Sequence, residues 1–271
     1  MIDRVTFFLF GYKLVSDENE KKINNKKNTK MEQKHQVHNL IILDESGSME
    51  SIKPSIIHGF NELVQSIKGI QKQFPEQEHY ISIISFNGFG NKVLHFMDDV
   101  SKLNTIDSSN YKPDAMTPLY DAIGFSFTKL KKELELHTNY NVLVTILTDG
   151  EENDSKEYSG AVIKNMIEEL SEGNWTFTYI GTDHDVEKMA SNLSIKNSMV
   201  FEKNVDGIKT MFEEEYNSRK RYSSNIREKK DFKDNYFKKV EQYLNENEKS
   251  DSKSNPKKAS LWDKITGKNK K

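Results

Sequence analysis

The chain has 271 residues, with 40 Lys and Arg against 42 Asp and Glu, a formal net charge of -2 and no cysteine. The absence of cysteine excludes a disulfide scaffold, a thiolate zinc or iron–sulfur centre and a cysteine nucleophile, and the near-zero balance argues against a chain that coats nucleic acid along its length. Only 35% of residues are hydrophobic, below the usual ~45–50%, so part of the chain is expected to lie outside any core.

The charge is unevenly spread. Residues 1–30 carry +3, residues 222–271 carry +6 and the stretch between them carries -11, which reads as an acidic globule with two basic, polar ends. The expected organisation is an extension over 1–35, a folded domain over 36–221, and a basic, charged helix with a disordered tail over 222–271. In the extension, Val5 to Phe10 is mostly apolar but is interrupted by Gly11 and Lys13. That run falls short of the ~20 apolar residues of a membrane span and lacks the cleavage pattern of a signal peptide, so no span and a cytoplasmic location are expected. Met31 stands shortly before the first strong strand signal; translation starting there, or a disordered arm over 1–30, are the two expectations for this end.

From there strand and helix patterns alternate. Asn39 to Leu43 is a nearly continuous apolar run, as for a strand buried on both faces. Ile52 to Phe74 has apolar residues at helical spacing (Ile56, Phe60, Leu63, Val64, Ile67) and stops at Pro75. Tyr80–Phe86 and Val93–Met97 are strands joined by a short turn containing Asn87-Gly88. Pro118–Leu136 is a helix, Val142–Leu147 a buried strand, Tyr158–Leu170 a helix, Trp175–Ile180 a strand, Val186–Leu193 a helix, Met199–Phe201 a short strand and Val205–Tyr222 a helix. This alternation predicts an α/β, doubly wound, mostly parallel sheet with helices on both faces. The hairpin predicts one antiparallel edge strand. Beyond it, Phe232, Tyr236, Phe237, Val240, Tyr243 and Leu244 recur at helical spacing, so a helix is expected to about Leu244. Asn245 to Lys258 reads as disordered, and Leu261, Trp262 and Ile265 could share one side of a terminal turn, either idle or a docking peptide.

In such a sheet ligands bind beyond the carboxyl ends of the strands, at the switch point of the strand order. The first strand ends in Asp44-Glu45-Ser46-Gly47-Ser48 and the fourth in Thr148-Asp149-Gly150-Glu151-Glu152, while Met116-Thr117-Pro118 opens a helix. Asp44, Ser46, Ser48, Thr117 and Asp149 are thus expected on one rim: two carboxylates and three hydroxyls. These hard oxygen donors favour Mg²⁺ over Zn²⁺, with Mn²⁺ and Ca²⁺ as substitutes. Glu45, Glu151, Glu152 and Asp154 read as a solvated acidic rim. Asp121 reads either as a support for the site or as an exposed helix carboxylate, and Asp183-His184-Asp185 as a turn in which Asp185 caps the next helix.

Asp44-x-Ser46-x-Ser48, with Thr117 and Asp149 downstream, resembles the metal-ion-dependent adhesion site of von Willebrand factor A domains, over roughly residues 36–215. The stretches Thr117–Ile123 and Leu147–Asn153 look most like the bacterial, intracellular branch. The resemblance implies a Rossmann-like fold in which Ser46 and Ser48 ligate the metal directly, Thr117 does so directly or through water, and Asp44 and Asp149 act mainly through waters and hydrogen bonds. It also implies a protein partner whose carboxylate fills the open coordination position. One departure is that family members often have glycine just before the threonine, where this chain has Ala115-Met116.

Enzyme readings fail on specifics. The chain has no phosphate-binding Gly-x-x-x-x-Gly-Lys-Ser/Thr loop, no Gly-x-Gly-x-x-Gly after the first strand and no Gly-x-Ser-x-Gly elbow. A Mg²⁺-dependent phosphatase of the haloacid dehalogenase type would need a second Asp two residues after Asp44, where this chain has Ser46. The expectation is a non-enzymatic, metal-dependent protein-binding module. The alternative is an intracellular scaffold acting through its basic tail, the only part suited to nucleic acid.

Overall fold

The computed structural model describes residues 33–230 and 233–237. Residues 1–30 and the terminal Leu261-Trp262-Ile265 segment, on which sequence expectations were placed, lie outside the described residues. The strands are β1 (His35–Asp44), β2 (Gln77–Asn87), β3 (Gly90–Asp99), β4 (Tyr140–Thr148), β5 (Trp175–Gly181) and β6 (Asn197–Val200). The helices are α1 (Lys53–Gln73), α2 (Leu119–Leu134), α3 (Gly160–Glu172), α4 (Val186–Asn192) and α5 (Val205–Glu228), and a 3₁₀ turn (Gly47–Ile52) leads into α1.

The sheet order is β3-β2-β1-β4-β5-β6. All neighbours are parallel except β2 and β3, so the antiparallel strand is at one edge, as the short hairpin requires. Strand order reverses between β1 and β4, and the crevice at their carboxyl ends is the switch point.

Alternate residues of β1 feed opposite cores, the two-residue period of a strand. Leu40 and Ile42 pack with α2, α3 and α4; Ile41 and Leu43 pack with α1 and α5. Gly59 of α1 has to be glycine on packing grounds, because a Cβ there would lie 2.1 Å from the Phe212 ring of α5.

Two differences from the sequence expectations stand at the C-terminal end. Helix α5 runs beyond Tyr222 to Glu228, so the expected boundary at 221 falls inside a helix. The helix expected from Phe232 onward is absent over its described part: Lys229 takes a left-handed conformation (φ 53°), and Lys230 N–H reaches Asn225 O while Lys229 N–H reaches Ile226 O. That pair of bonds closes a Schellman-type end. Lys233–Phe237 then forms turns, with Tyr236 buried beside Val37, Leu143 and Tyr222.

Candidate metal centre

The structure brings the five expected residues to one rim; Asp44, Ser46, Ser48 and Asp149 are joined by hydrogen bonds, and Thr117 stands across from them beside Gly150. Asp44 ends β1 fully buried; one carboxylate oxygen accepts Ser46 N–H (2.7 Å) and the other accepts the Thr148 hydroxyl (2.6 Å). Ser46 Oγ lies 3.2 Å from Ser48 Oγ, and Ser48 Oγ donates to Asp149 Oδ1 at 2.5 Å. Burial pushes the Asp44 carboxyl up to about 6, against the opposing effect of the Thr148 and Ser46 hydrogen bonds; the neighbouring Asp149 adds to the rise. Gly150 opens the space between the hydroxyls, since a Cβ there would sit 3.8 Å from Ser48 Oγ and 4.0 Å from Thr117 Oγ1. Ser48 is exposed, so the cluster opens to solvent on that side.

Thr117 is held by remote groups. Its N–H donates to Asn153 Oδ1 (2.8 Å), and its carbonyl accepts Asn153 N–H (3.2 Å). The start of α2 lacks a local side-chain cap because Pro118 occupies that position. The loop after β4 supplies the acceptors instead: Glu152 takes Tyr120 N–H (2.9 Å) and Ser155 Oγ takes Asp121 N–H (3.1 Å), satisfying donors that every helix N-terminus leaves open. Asp121 in turn accepts the N–H groups of Lys156, Glu157 and Tyr158. Asp121 is therefore neither an idle surface carboxylate nor part of the donor cluster; it locks the loop that carries Asp149.

Glu45 also departs from the expected solvated rim. It is buried, and its carboxylate receives the Lys92 ammonium (2.6 Å) and Lys112 N–H (2.5 Å). This fastens the hairpin and the 112–117 segment to β1. Ala115 sits at φ 63°, the left-handed region that glycine enters at less cost, and accepts Gly47 N–H at 3.1 Å. The loop thus keeps a glycine-like conformation with alanine in place. Gly88 is needed beside it, because a Cβ there would meet Met116 N at 2.9 Å. His184 is spoken for: its Nδ1 donates to Thr182 O (2.7 Å), which leaves Nε2 to accept the Tyr179 hydroxyl (3.0 Å). Asp185 caps α4 through Lys188 N–H, as expected.

Sequence reasoning missed Asn153, Thr148 and Lys203. Lys203 Nζ lies 2.7 Å from Asp149 Oδ2, as an ion pair rather than an aligned hydrogen bond, and 2.9 Å from Asp183 Oδ2. The available signal was position: Lys203 follows β6, at the same end of the sheet as the donors. Among the described residues no three His, Asp or Glu side chains converge on one point; the cluster has two carboxylates, and the rest of its oxygens are hydroxyls.

The von Willebrand factor type A domain model matches residues 40–214. The chain belongs to the von Willebrand factor A family. VWA domains are generally modules for protein–protein interaction rather than enzymes, and many depend on a divalent metal. No curated protein sequence matches this chain. Among solved structures, the pilus adhesin SpaC of Lactobacillus rhamnosus GG in its open conformation is 11% identical, with a TM-score of 0.52, over 69% of this chain and 30% of that one. Proximal thread matrix protein 1 of the mussel byssus is 14% identical (TM-score 0.45), over 68% of this chain and 46% of that one. The manganese-loaded TRAP protein of Plasmodium vivax is 17% identical (TM-score 0.43), over 66% of this chain and 74% of that one. The chain therefore spans less than half the length of SpaC and of the mussel protein, and these likenesses concern the fold. No helix among the described residues is long and apolar enough to cross a membrane.

Proposed function

We propose that this VWA domain is a metal-dependent binding module whose divalent ion, Mg²⁺ in the first instance, joins the rim to a carboxylate of a protein partner. The observation that carries this reading is the linked donor set: Asp44, Ser46, Ser48 and Asp149 connected by hydrogen bonds of 2.5–3.2 Å, with Thr117 across the open space at Gly150. All donors are hard oxygens, and only two are anionic, which suits a small cation that keeps waters and an open position. Ser46, Ser48 and Thr117 would hold the ion with their hydroxyls, and Asp44 and Asp149 would act through waters and by orienting those hydroxyls. When bound, the ion supplies a positive charge that an acidic side chain can complete.

The protein's own residues shape the rest of the surface. Phe89, 79% exposed at the hairpin tip, and Met116, 50% exposed beside it, give the rim an apolar flank. The carboxylate that accepts the Ser48 hydroxyl, Asp149, is also held by the Lys203 ammonium, an arrangement that orients oxygens for an ion rather than freeing a base, so the reading is of binding rather than turnover, in a cytoplasmic setting. The organisation proposed with it is a VWA domain with polar segments on either side. The test is capture of partners by the full chain from its native host, with and without EDTA. Capture that is lost in EDTA and in Ser46→Ala is the expected result; capture unchanged by both would overturn the reading.

A further inference from the structure

We propose that Lys203 is a built-in cation that sets the charge of the metal-loaded rim, loosening its hold on the metal and strengthening its hold on an incoming carboxylate. This rests on the reading above that the rim takes a divalent ion.

The position of Lys203 is not that of an ordinary surface lysine. Its side chain is 22% exposed, and it reaches an Asp149 side chain that is 0% exposed. The pair Lys131–Glu169, by contrast, is exposed at 51% and 68%. Such open pairs contribute little, because water and salt screen them; a charge resting on a buried carboxylate is screened far less.

The backbone on either side of Lys203 is fixed. Phe201 is buried, and its N–H donates to Gly181 O (3.0 Å). Asn204 caps α5, accepting Gly207 N–H at 2.8 Å. Gly207 packs so close to Glu202 that a Cβ would lie 2.3 Å from the Glu202 carbonyl oxygen. The second anchor, Asp183, is held at φ 61°, a conformation that Asp tolerates better than most residues. Both ends of the contact are thus preset by the loops after β5 and β6.

The consequence follows from counting charge. Asp149 divides its two oxygens between the Ser48 hydroxyl and the Lys203 ammonium. A divalent ion arriving at the hydroxyls meets a carboxylate that is already half neutralised, together with a fixed positive charge behind it. Both weaken the attraction. Once the ion is in place the same ammonium leaves the rim one charge more positive than two bare carboxylates would, and that favours an anionic ligand. One residue therefore moves the two affinities in opposite directions, a pattern that a merely structural lysine would not produce.

The experiment uses the full chain, with Lys203→Met (similar stem, no charge) and Lys203→Arg (charge kept). Mn²⁺ alone is titrated calorimetrically into each. Acetate is then titrated into the Mn²⁺-loaded proteins, and its binding is followed by paramagnetic relaxation of the methyl protons. Lys203→Met is expected to bind Mn²⁺ on the order of tenfold more tightly and acetate several-fold more weakly, with Lys203→Arg close to the unmodified chain. Circular dichroism checks that each variant is folded. If the unmodified chain takes up Mn²⁺ and Lys203→Met takes it up equally or more weakly, the role of Lys203 is overturned and the metal reading stands. If the unmodified chain takes up no Mn²⁺, the metal reading itself fails and this inference with it.

Discussion

Two clusters of buried polar groups on the sheet are built differently. Midway along the strands, under α5, Arg219 is 2% exposed and donates to Asn39 Oδ1 (2.6 Å), Thr145 Oγ1 (2.7 Å) and Glu215 Oε1 (2.7 Å). Thr145 also donates to Glu215 at 3.0 Å. Opposite charges there meet each other inside the protein. At the carboxyl ends of β1 and β4 the carboxylates of Asp44 and Asp149 instead accept hydroxyls, and the cation that reaches Asp149, Lys203, comes from the loop after β6. The first cluster is closed and serves the fold. The second is open to solvent at Ser48, beside the space that Gly150 leaves.

Breaking the closed cluster should have the largest effect. Arg219→Met would leave Glu215 buried without its partner, a class of change that costs about 3–5 kcal/mol. Urea denaturation should show that loss, and Arg219→Met with Glu215→Met should recover most of it. The contrast between the clusters would fail if the double variant were as unstable as the single one.

A second expectation concerns pH. Burial, helped by the Arg219 charge and by His35, lowers His79 to about 3, and burial with His137 and His35 lowers His38 to about 4, both from 6.5. Below 6.5 the unfolded chain binds protons that these buried rings refuse, so stability falls as pH drops from about 6.5 toward those values. The melting temperature should decline between pH 7 and pH 5, and His79→Gln should flatten the slope. An unchanged slope in that variant would remove His79 from the account.

The smallest effect sharpens the description of the open cluster. In Gly150→Ala the new Cβ meets Ser48 Oγ and Thr117 Oγ1 at ordinary contact distance. Stability should stay within about 0.5 kcal/mol, while Mn²⁺ affinity falls several-fold because the new methyl occupies the space between the hydroxyls. Equal Mn²⁺ affinity would show that this space is not where the ion sits.

Much of this was legible in the chain. Apolar runs and helical spacing located every strand and helix of the sheet domain, because burial on two faces leaves a strong pattern. Pairing partners far apart in sequence were not legible. Glu45 reads as a rim residue until Lys92 and Lys112 are brought to it, and Asp121 is a plain helix carboxylate until the loop after β4 folds over it. The end of α5 was also hidden, because Lys229 is not the glycine that usually marks a left-handed stop, and Tyr236 and Phe237 suggested further helix. The placement of Asp44, Ser46, Ser48, Thr117 and Asp149 on one rim was legible because they follow strand ends and precede a helix start. Lys203 sits at an equivalent place and was passed over as one lysine among many.

The central claim is that the rim holds one divalent ion. Its most direct test is calorimetric titration of Mn²⁺ into the full chain, beside Ser46→Ala and Asp149→Ala variants shown to be folded. The expected result is one ion per chain, lost in both variants. Absence of binding, or binding that both variants retain in full, would contradict it.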